Sequence, residues 1–351
     1  MLVVLTLVAA LSPMPYPTDQ AMMERVGQGV IVPGCADLNC FRILVPATVE
    51  ALPGSSTVRW RGFAVVANAG AAIAAAYLAL ALGLSAAGAT WTAWLAATGA
   101  GSFATVHHPY NADPFVLLLA PIVTSLLLRD RMMPAGILAT IGIVAKEFGA
   151  AALYISATAA ALGRRWRQSA RQFLLAFAVT GLWLALQLWL MAAFDYSYND
   201  NPSSKLLSGG YLRLWVAHVT PVSAAAAVFG AFGAVYLLLP SGWSLAPARL
   251  RQLTLGAIPA MAVLVYVATP ERALWNFFFL VLPLAALVLE RASTAVAVAF
   301  IASLAIANLR IGGQLMALPS SRYAVATSIV IALIAIWQAR SNRPGHTAYE
   351  A

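Results

Sequence analysis

Charge is what this sequence has least of. Of its 351 residues only 9% are charged, and twelve of them are acidic. An ordinary soluble surface draws on about a quarter charged residues, so such a surface is excluded. Hydrophobic residues make up 62% of the chain, and apolar runs recur from end to end. No soluble domain of useful size is left once these runs are removed. Cysteine is nearly absent. Cys35 and Cys40 lie alone in one polar loop, without the further ligands that a structural metal site needs. If that loop is extracytoplasmic the pair could close a small disulfide; disulfide and free thiols both stay open. Also missing are a Walker loop, a GxSxG elbow, an HExxH pair and a GxGxxG in a strand–helix setting, which removes support for ATP-driven transport and soluble-type hydrolysis. The net charge of +9 does not point to nucleic acid, because the basic residues sit in short loops between apolar runs and never form a basic run interleaved with aromatics.

What remains is an all-α, polytopic transmembrane bundle in a single domain spanning 1–351. About twelve apolar segments can be placed, near 1–12, 60–82, 89–106, 114–128, 134–147, 149–163, 172–194, 214–239, 252–269, 275–289, 292–309 and 322–339. Several fall short of the ~20 residues of a full span and suit half-helices or tilted pieces. Residues 1–12 read as a short first span rather than a signal peptide, since no Lys or Arg precedes them. The stretch 134–163 decides the topology. As one helix it would measure about 45 Å at 1.5 Å per residue, too long for a bilayer core of about 30 Å. Arg129 and Arg131 precede it and Arg164, Arg165, Arg167 and Arg171 follow it. Basic short loops prefer the cytoplasm, and both clusters share a side only if the stretch is a re-entrant-like hairpin with Lys146-Glu147 at its apex. The Arg249/Arg251 loop and the 340–351 tail then also fall inside. Both termini are expected in the cytoplasm of a multi-pass protein in the bacterial inner membrane.

This topology leaves 13–59 as the large first extracytoplasmic loop, expected to carry a helix over Asp19–Val30 and an interfacial helix over Phe41–Leu52. Nine of the twelve acids fall on the outer face, and so do about ten of the 21 basic residues. Orientation alone would deplete bases there, so a polyanionic ligand such as a lipid-linked phosphate is expected to bind among them. Headgroup snorkelling accounts for the rest.

Four places carry candidate chemistry. Asp19, in YPTDQ just after the first span, suits a general base or an oxygen ligand of a divalent cation; a solvated acid in a first helical turn is its bland alternative. HHPYNADP concentrates His108, Asn111 and Asp113 in one short outer loop. Asp113 before Pro114 also fits a helix N-cap, whereas His108 and Asn111 have no such structural excuse. Two adjacent histidines cannot readily share one metal, so no metal site is assigned. Lys146 and Glu147 interrupt an apolar run, where ionisable groups are costly and face a partner or a wet cavity. Adjacent helical residues point about 100° apart, so these two do not pair naturally with each other. Glu271 and Arg272, in TPERALWNFFF, open a later span. Arg272 suits a phosphate and Glu271 a helix N-terminus. DYSYNDN, 195–201, reads as a polar loop with interfacial tyrosines.

The order of these features resembles the GT-C superfamily of polytopic glycosyltransferases. Asp19, with Glu24 nearby, matches the acidic position after the first span. RILVPATVEALPG, which begins at Arg42, is similar to the Arg-x-Leu-x-Pro stretch of bacterial relatives. HHPYNADPFVLLLAPIVTSLLLRDR is similar to their Asn-Pro-Tyr-x-x-Asp-Pro segment. PAGILATIGIVAKEFGAAAL looks like their hairpin and TPERALWNFFFLVLPLAAL like their late Glu-Arg segment. The likeness spans roughly 1–290; Asp19 is followed by Gln20 rather than by a second acid. The resemblance implies transfer of a sugar from a polyprenyl-phosphate donor to a lipid or glycan acceptor in the cell envelope. Asp19 would be catalytic, and Glu24, Arg42, His108, Asn111, Asp113, Lys146, Glu147 and Arg272 would bind substrate. The cofactor is unknown, with a divalent cation open. A transporter or flippase of a lipid-linked or anionic substrate, and a non-catalytic membrane protein of the same fold, are the competing expectations. No internal repeat of the transporter kind is visible.

Overall fold

The structure, a computed structural model, describes residues 1–12, 17–197, 220–261, 270–309 and 320–342. Among them every regular element is helical and none is a strand, as backbone in lipid requires: each N–H and C=O must find its partner within the segment. The chain opens with α1 (Leu2–Leu11), α2 (Pro17–Gly27), a 3-10 turn at Leu38–Phe41 and α3 (Leu44–Glu50). Then follow α4 (Ser56–Ala81), α5 (Ala86–Thr98), α6 (Ala100–His107), α7 (Asp113–Leu128) and α8 (Met132–Ala145). A 3-10 turn at Glu147–Ala150 leads to α9 (Ala151–Leu162) and α10 (Trp166–Phe194). The later part comprises α11 (Pro221–Phe232), α12 (Val235–Leu245), α13 (Ala248–Gly256), α14 (Ile258–Met261), α15 (Pro270–Trp275), α16 (Phe278–Arg291), α17 (Thr294–Asn308) and α18 (Ser320–Ser341). Among the described residues three helices are long and apolar enough to cross a membrane: α4, α10 and the Arg322–Ser341 part of α18.

Several expected single segments are two helices. Residues 89–106 break at Gly99, whose extended backbone (φ −68°, ψ 159°) separates α5 from α6. The hydroxyl of Ser102 crosses the break and donates to the Ala96 carbonyl at 2.7 Å. The expected 214–239 span, where described, divides at Gly233 in the left-handed region (φ 57°). The expected 275–289 span divides at Asn276–Phe277 into α15 and α16. Of the expected interfacial helix at 41–52, only Leu44–Glu50 is α-helical, after the 3-10 turn. Tyr198, Asn199, Asp200, Asn201, Lys205, Arg213 and Arg310 lie outside the described residues, and so does most of the 340–351 tail.

The core gathers around α16, where Phe279, Ala285, Ala286, Val288 and Leu289 are all but inaccessible. Around it pack Leu78 of α4, Leu95 of α5, Leu238 of α12 and Phe300 of α17. The alanine face of α4, with Ala71, Ala72, Ala75 and Ala79, lets neighbouring helices approach closely. By contrast α10 leaves Leu174, Phe177, Leu182, Leu188 and Trp189 exposed. Lipid is as apolar as these side chains, so their exposure to it costs nothing. At the hairpin, a Cβ added to Gly149 would collide with the backbone of Gly142, so glycine there allows the two arms to touch.

Local signals set the loops. Asp130 and Arg164 take left-handed φ of 56° just after α7 and α9. Each brings the next residue back to a carbonyl five positions earlier, Arg131 to Leu126 at 2.9 Å and Arg165 to Ala160 at 2.8 Å. These bonds satisfy the last carbonyls of each helix. In the first loop Cys35 and Cys40 form a disulfide. It sits with Phe41 and Tyr196 against Leu190 near the end of α10. Backbone bonds from Gly34 to Phe194 (3.1 Å) and from Ser197 to Cys35 (3.0 Å) complete that anchor.

Candidate functional site

The site is assembled at the start of α7 and the hairpin turn. Before α7 the side chain of Asn111 accepts from the Asp113 backbone N–H at 2.9 Å, while its own amide donates to the His108 carbonyl. Asn111 therefore closes the turn that was expected of Asp113 acting as a cap, and Asn111 does have a structural role. The Asp113 carboxylate is released for other contacts. It accepts from Lys146 on one oxygen and from the Arg272 guanidinium on the other, at 2.6 Å.

Lys146 is the extended residue (φ −163°, ψ 143°) between α8 and the 3-10 turn. That kink sends Lys146 and Glu147 in different directions. Glu147 accepts two bonds from Arg42, 2.6 Å from Nη2 and 3.3 Å from Nε, and Arg42 is held in turn by Asn39 at 3.2 Å. The first loop, the α7 start, the hairpin and α15 thus meet through two carboxylates and three cations. Asp113 and Lys146 are nearly enclosed, with side-chain exposure of 7% and 10%, whereas Arg272 keeps 46%. Within the ion pairs themselves the cations outnumber the carboxylates by one, and Arg272, which Asp19 also influences, is the open edge. Buried ion pairs of this kind contribute little net stability, because desolvation offsets the attraction. Their use here is to hold cations at fixed positions.

Asp19 lies in the first turn of α2 and is an exposed residue. Its carboxyl is raised above the ordinary range, first by partial desolvation and then by Asp37, while Arg272 and Arg42 oppose the rise. The acid therefore shares an electrostatic environment with Arg42 and Arg272 of the ion-pair group.

Glu24 belongs to a different cluster. It accepts from Gln20 at 2.9 Å and from Ser56 at 2.5 Å, and the Tyr110 hydroxyl approaches it at 3.5 Å. Glu50, beside it, binds Arg59 and accepts from the Trp60 indole at 2.8 Å. This network clamps α2 and α3 to α4. The ring of His108 packs edge-on against His107, centroids 4.5 Å apart. The expected surplus of ligand-seeking outer bases shrinks accordingly: Arg59 is tied to Glu50 and Arg61 donates to the Ser12 carbonyl. The side chain of Glu271 lies outside the described residues. Among the described residues no three of His, Cys, Asp and Glu gather as a metal-binding group.

Two features were missed from the sequence. Asn68, fully buried within α4, donates to Thr105 of α6 at 2.9 Å and locks those helices together; no local pattern marks it. An apolar pocket lined by Leu95, Gly101, Phe232, Trp275 and Phe278 begins one helical turn beyond Arg272. No sequence signal separates its aromatic residues from ordinary core.

Fold and site together define a polytopic helical membrane protein with an ion-paired cluster of Arg42, Asp113, Lys146, Glu147 and Arg272. No protein-family model and no curated protein matches the sequence. Among solved structures the fold is similar to the crystal structure of ArnT from Cupriavidus metallidurans in the apo state. The TM-score is 0.56 and the identity 14%, over 96% of this chain and 74% of that one. The chain shares the polytopic helical fold of that structure.

Proposed function

We propose that the protein transfers a sugar from a polyprenyl-phosphate donor to a lipid or glycan acceptor at the extracytoplasmic face of the inner membrane. The observation that carries this reading is the convergence of Arg42, Lys146 and Arg272, from three distant parts of the chain, around two carboxylates, with Arg272 still 46% exposed. Arg272, the exposed member, would receive the donor phosphate, and the enclosed Lys146 would add to the field. The apolar wall formed by Leu95, Phe232, Trp275 and Phe278 next to it suits contact with hydrocarbon.

In the reaction the acceptor hydroxyl attacks the anomeric carbon while the bond from that carbon to the phosphate oxygen breaks. The phosphate leaves with the bonding electrons, and Arg272 and Lys146 stabilise the developing charge. The acceptor proton passes to Asp19, whose raised pKa makes it a stronger base than an ordinary carboxylate. Asp113 and Glu147 touch neither reactant; they position the cations.

The test is an assay of purified protein in proteoliposomes with polyprenyl-phosphate sugars, followed by mass analysis of the acceptors. Asp19→Asn is expected to lose about 100- to 10,000-fold in turnover, the usual scale of general-base catalysis, with an unchanged melting temperature. Full turnover in that variant would sink the mechanism. Movement of an intact donor across the bilayer without bond cleavage would replace the enzyme with a transporter.

A further inference from the structure

A second polar crevice lies at the far end of α7, about 21 Å along the helix from Asp113 at 1.5 Å per residue. Leu127 and Leu128 of α7 form part of its wall, and α9, α10 and α13 complete it. Its polar lining comprises Ser156, Arg165, Gln168, Gln172, Arg249 and Gln252. Two of these are buried without a partner. The hydroxyl of Ser156 and the side-chain oxygen of Gln172 make no hydrogen bond, in residues only 6% and 2% exposed. A buried polar group left unpaired costs about 1–3 kcal/mol, so such a pair at one crevice marks a place where something polar belongs.

The rest of the lining says what kind of group. Arg165 and Arg249 are exposed cations at the rim. Gly163 lies against two of these side chains: a Cβ there would be 3.2 Å from both Arg165 Nε and the side-chain oxygen of Gln252. Arg165 is already aimed by its 2.9 Å bond to Gln168. Two guanidinium groups and the Ser156 hydroxyl, with no carboxylate in the lining, can donate to the oxygens of a phosphate ester, while the unpaired oxygen of Gln172 accepts and suits a hydroxyl of the same headgroup. Beside the rim, Leu162 and Trp166 are 50% and 67% exposed. Along the same helix Leu174 and Phe177 offer an open apolar face. Trp at this level is an interfacial anchor, and the apolar face below it suits acyl chains.

We propose that this crevice binds the phosphate headgroup of an anionic glycerophospholipid in the leaflet opposite the transfer site. The proposal does not depend on glycosyl transfer. It is tested by native mass spectrometry of the full chain, delipidated in detergent and titrated with phosphatidylglycerol, phosphatidylcholine or inorganic phosphate. Wild type is expected to retain phosphatidylglycerol about tenfold better than phosphatidylcholine, the scale of one charge-assisted contact. Arg165→Ala combined with Arg249→Ala should remove that preference, and both side chains are exposed, so the fold survives. Gln172→Leu should weaken it and Arg167→Ala with Arg171→Ala, outside the lining, should leave it intact. Unchanged retention in the Arg165/Arg249 variant would overturn the site. Equal loss in the Arg167/Arg171 variant would reduce it to general surface charge and overturn it too. Displacement of the lipid by millimolar inorganic phosphate would make the ligand a free anion and overturn the lipid assignment.

Discussion

Asp113 and Glu50 are equally hidden, with side-chain exposure of 7% and 4%, yet they do opposite things. Glu50 is satisfied from its own neighbourhood, by Arg59 nine residues on and by the indole of Trp60. Asp113 is satisfied from 33 and 159 residues away, by Lys146 and Arg272. The local acid closes a loop on the helix that follows it. The long-range acid ties the start of α7 to the hairpin turn and to α15, segments far apart in sequence, and leaves Arg272 partly exposed. Burial alone therefore does not separate the two carboxylates; the provenance of their partners does.

The sharpest way to break this comparison is Asp113→Ala. It leaves two cations facing each other without their carboxylate, and removing one partner of a buried pair costs about 3–5 kcal/mol. Thermal unfolding in detergent should show that loss, together with a loss of donor binding. Arg42→Ala comes next. It strips Glu147 of a two-point partner, and with Glu147 still 32% exposed the cost is about 1.5–3 kcal/mol at most. Donor binding should weaken because the hairpin apex is no longer held. Glu50→Gln is the control: about 1–3 kcal/mol of stability is lost, while KM for donor stays unchanged. A change in KM there equal to that of Arg42→Ala would erase the distinction between the clusters. The smallest effect is in the pH profile. Because the Asp19 carboxyl is raised, its charged form is lost at a pH above the ordinary carboxylate range as pH falls. The acidic limb of kcat/KM should sit correspondingly high, and Asp19→Asn should abolish that limb.

Much of this was legible in the sequence. Hydrophobic runs set the helical class, because in a bilayer helices are what a chain of this composition can build. Lys146 and Glu147 stood out because ionisable residues in an apolar run need partners, and the partners exist. What was not legible was which partners. Nothing local links Arg42 to Glu147 across 105 positions. Asn111 was misjudged for a related reason. Asx turns and N-caps use similar residues, and only the backbone geometry shows that Asn111, not Asp113, closes the turn. The helix breaks at Gly99 and Gly233 were hidden because glycine inside an apolar run is also compatible with a continuous, closely packed helix.

The most direct test of the central claim is equilibrium binding of a labelled polyprenyl monophosphate to the purified protein. Wild type should bind it saturably. Arg272→Ala should weaken binding about 10- to 100-fold, the worth of one charge-assisted contact, while Glu50→Gln binds as wild type does. Equal binding by wild type and Arg272→Ala would contradict the assignment of the Asp113 group as the phosphate site.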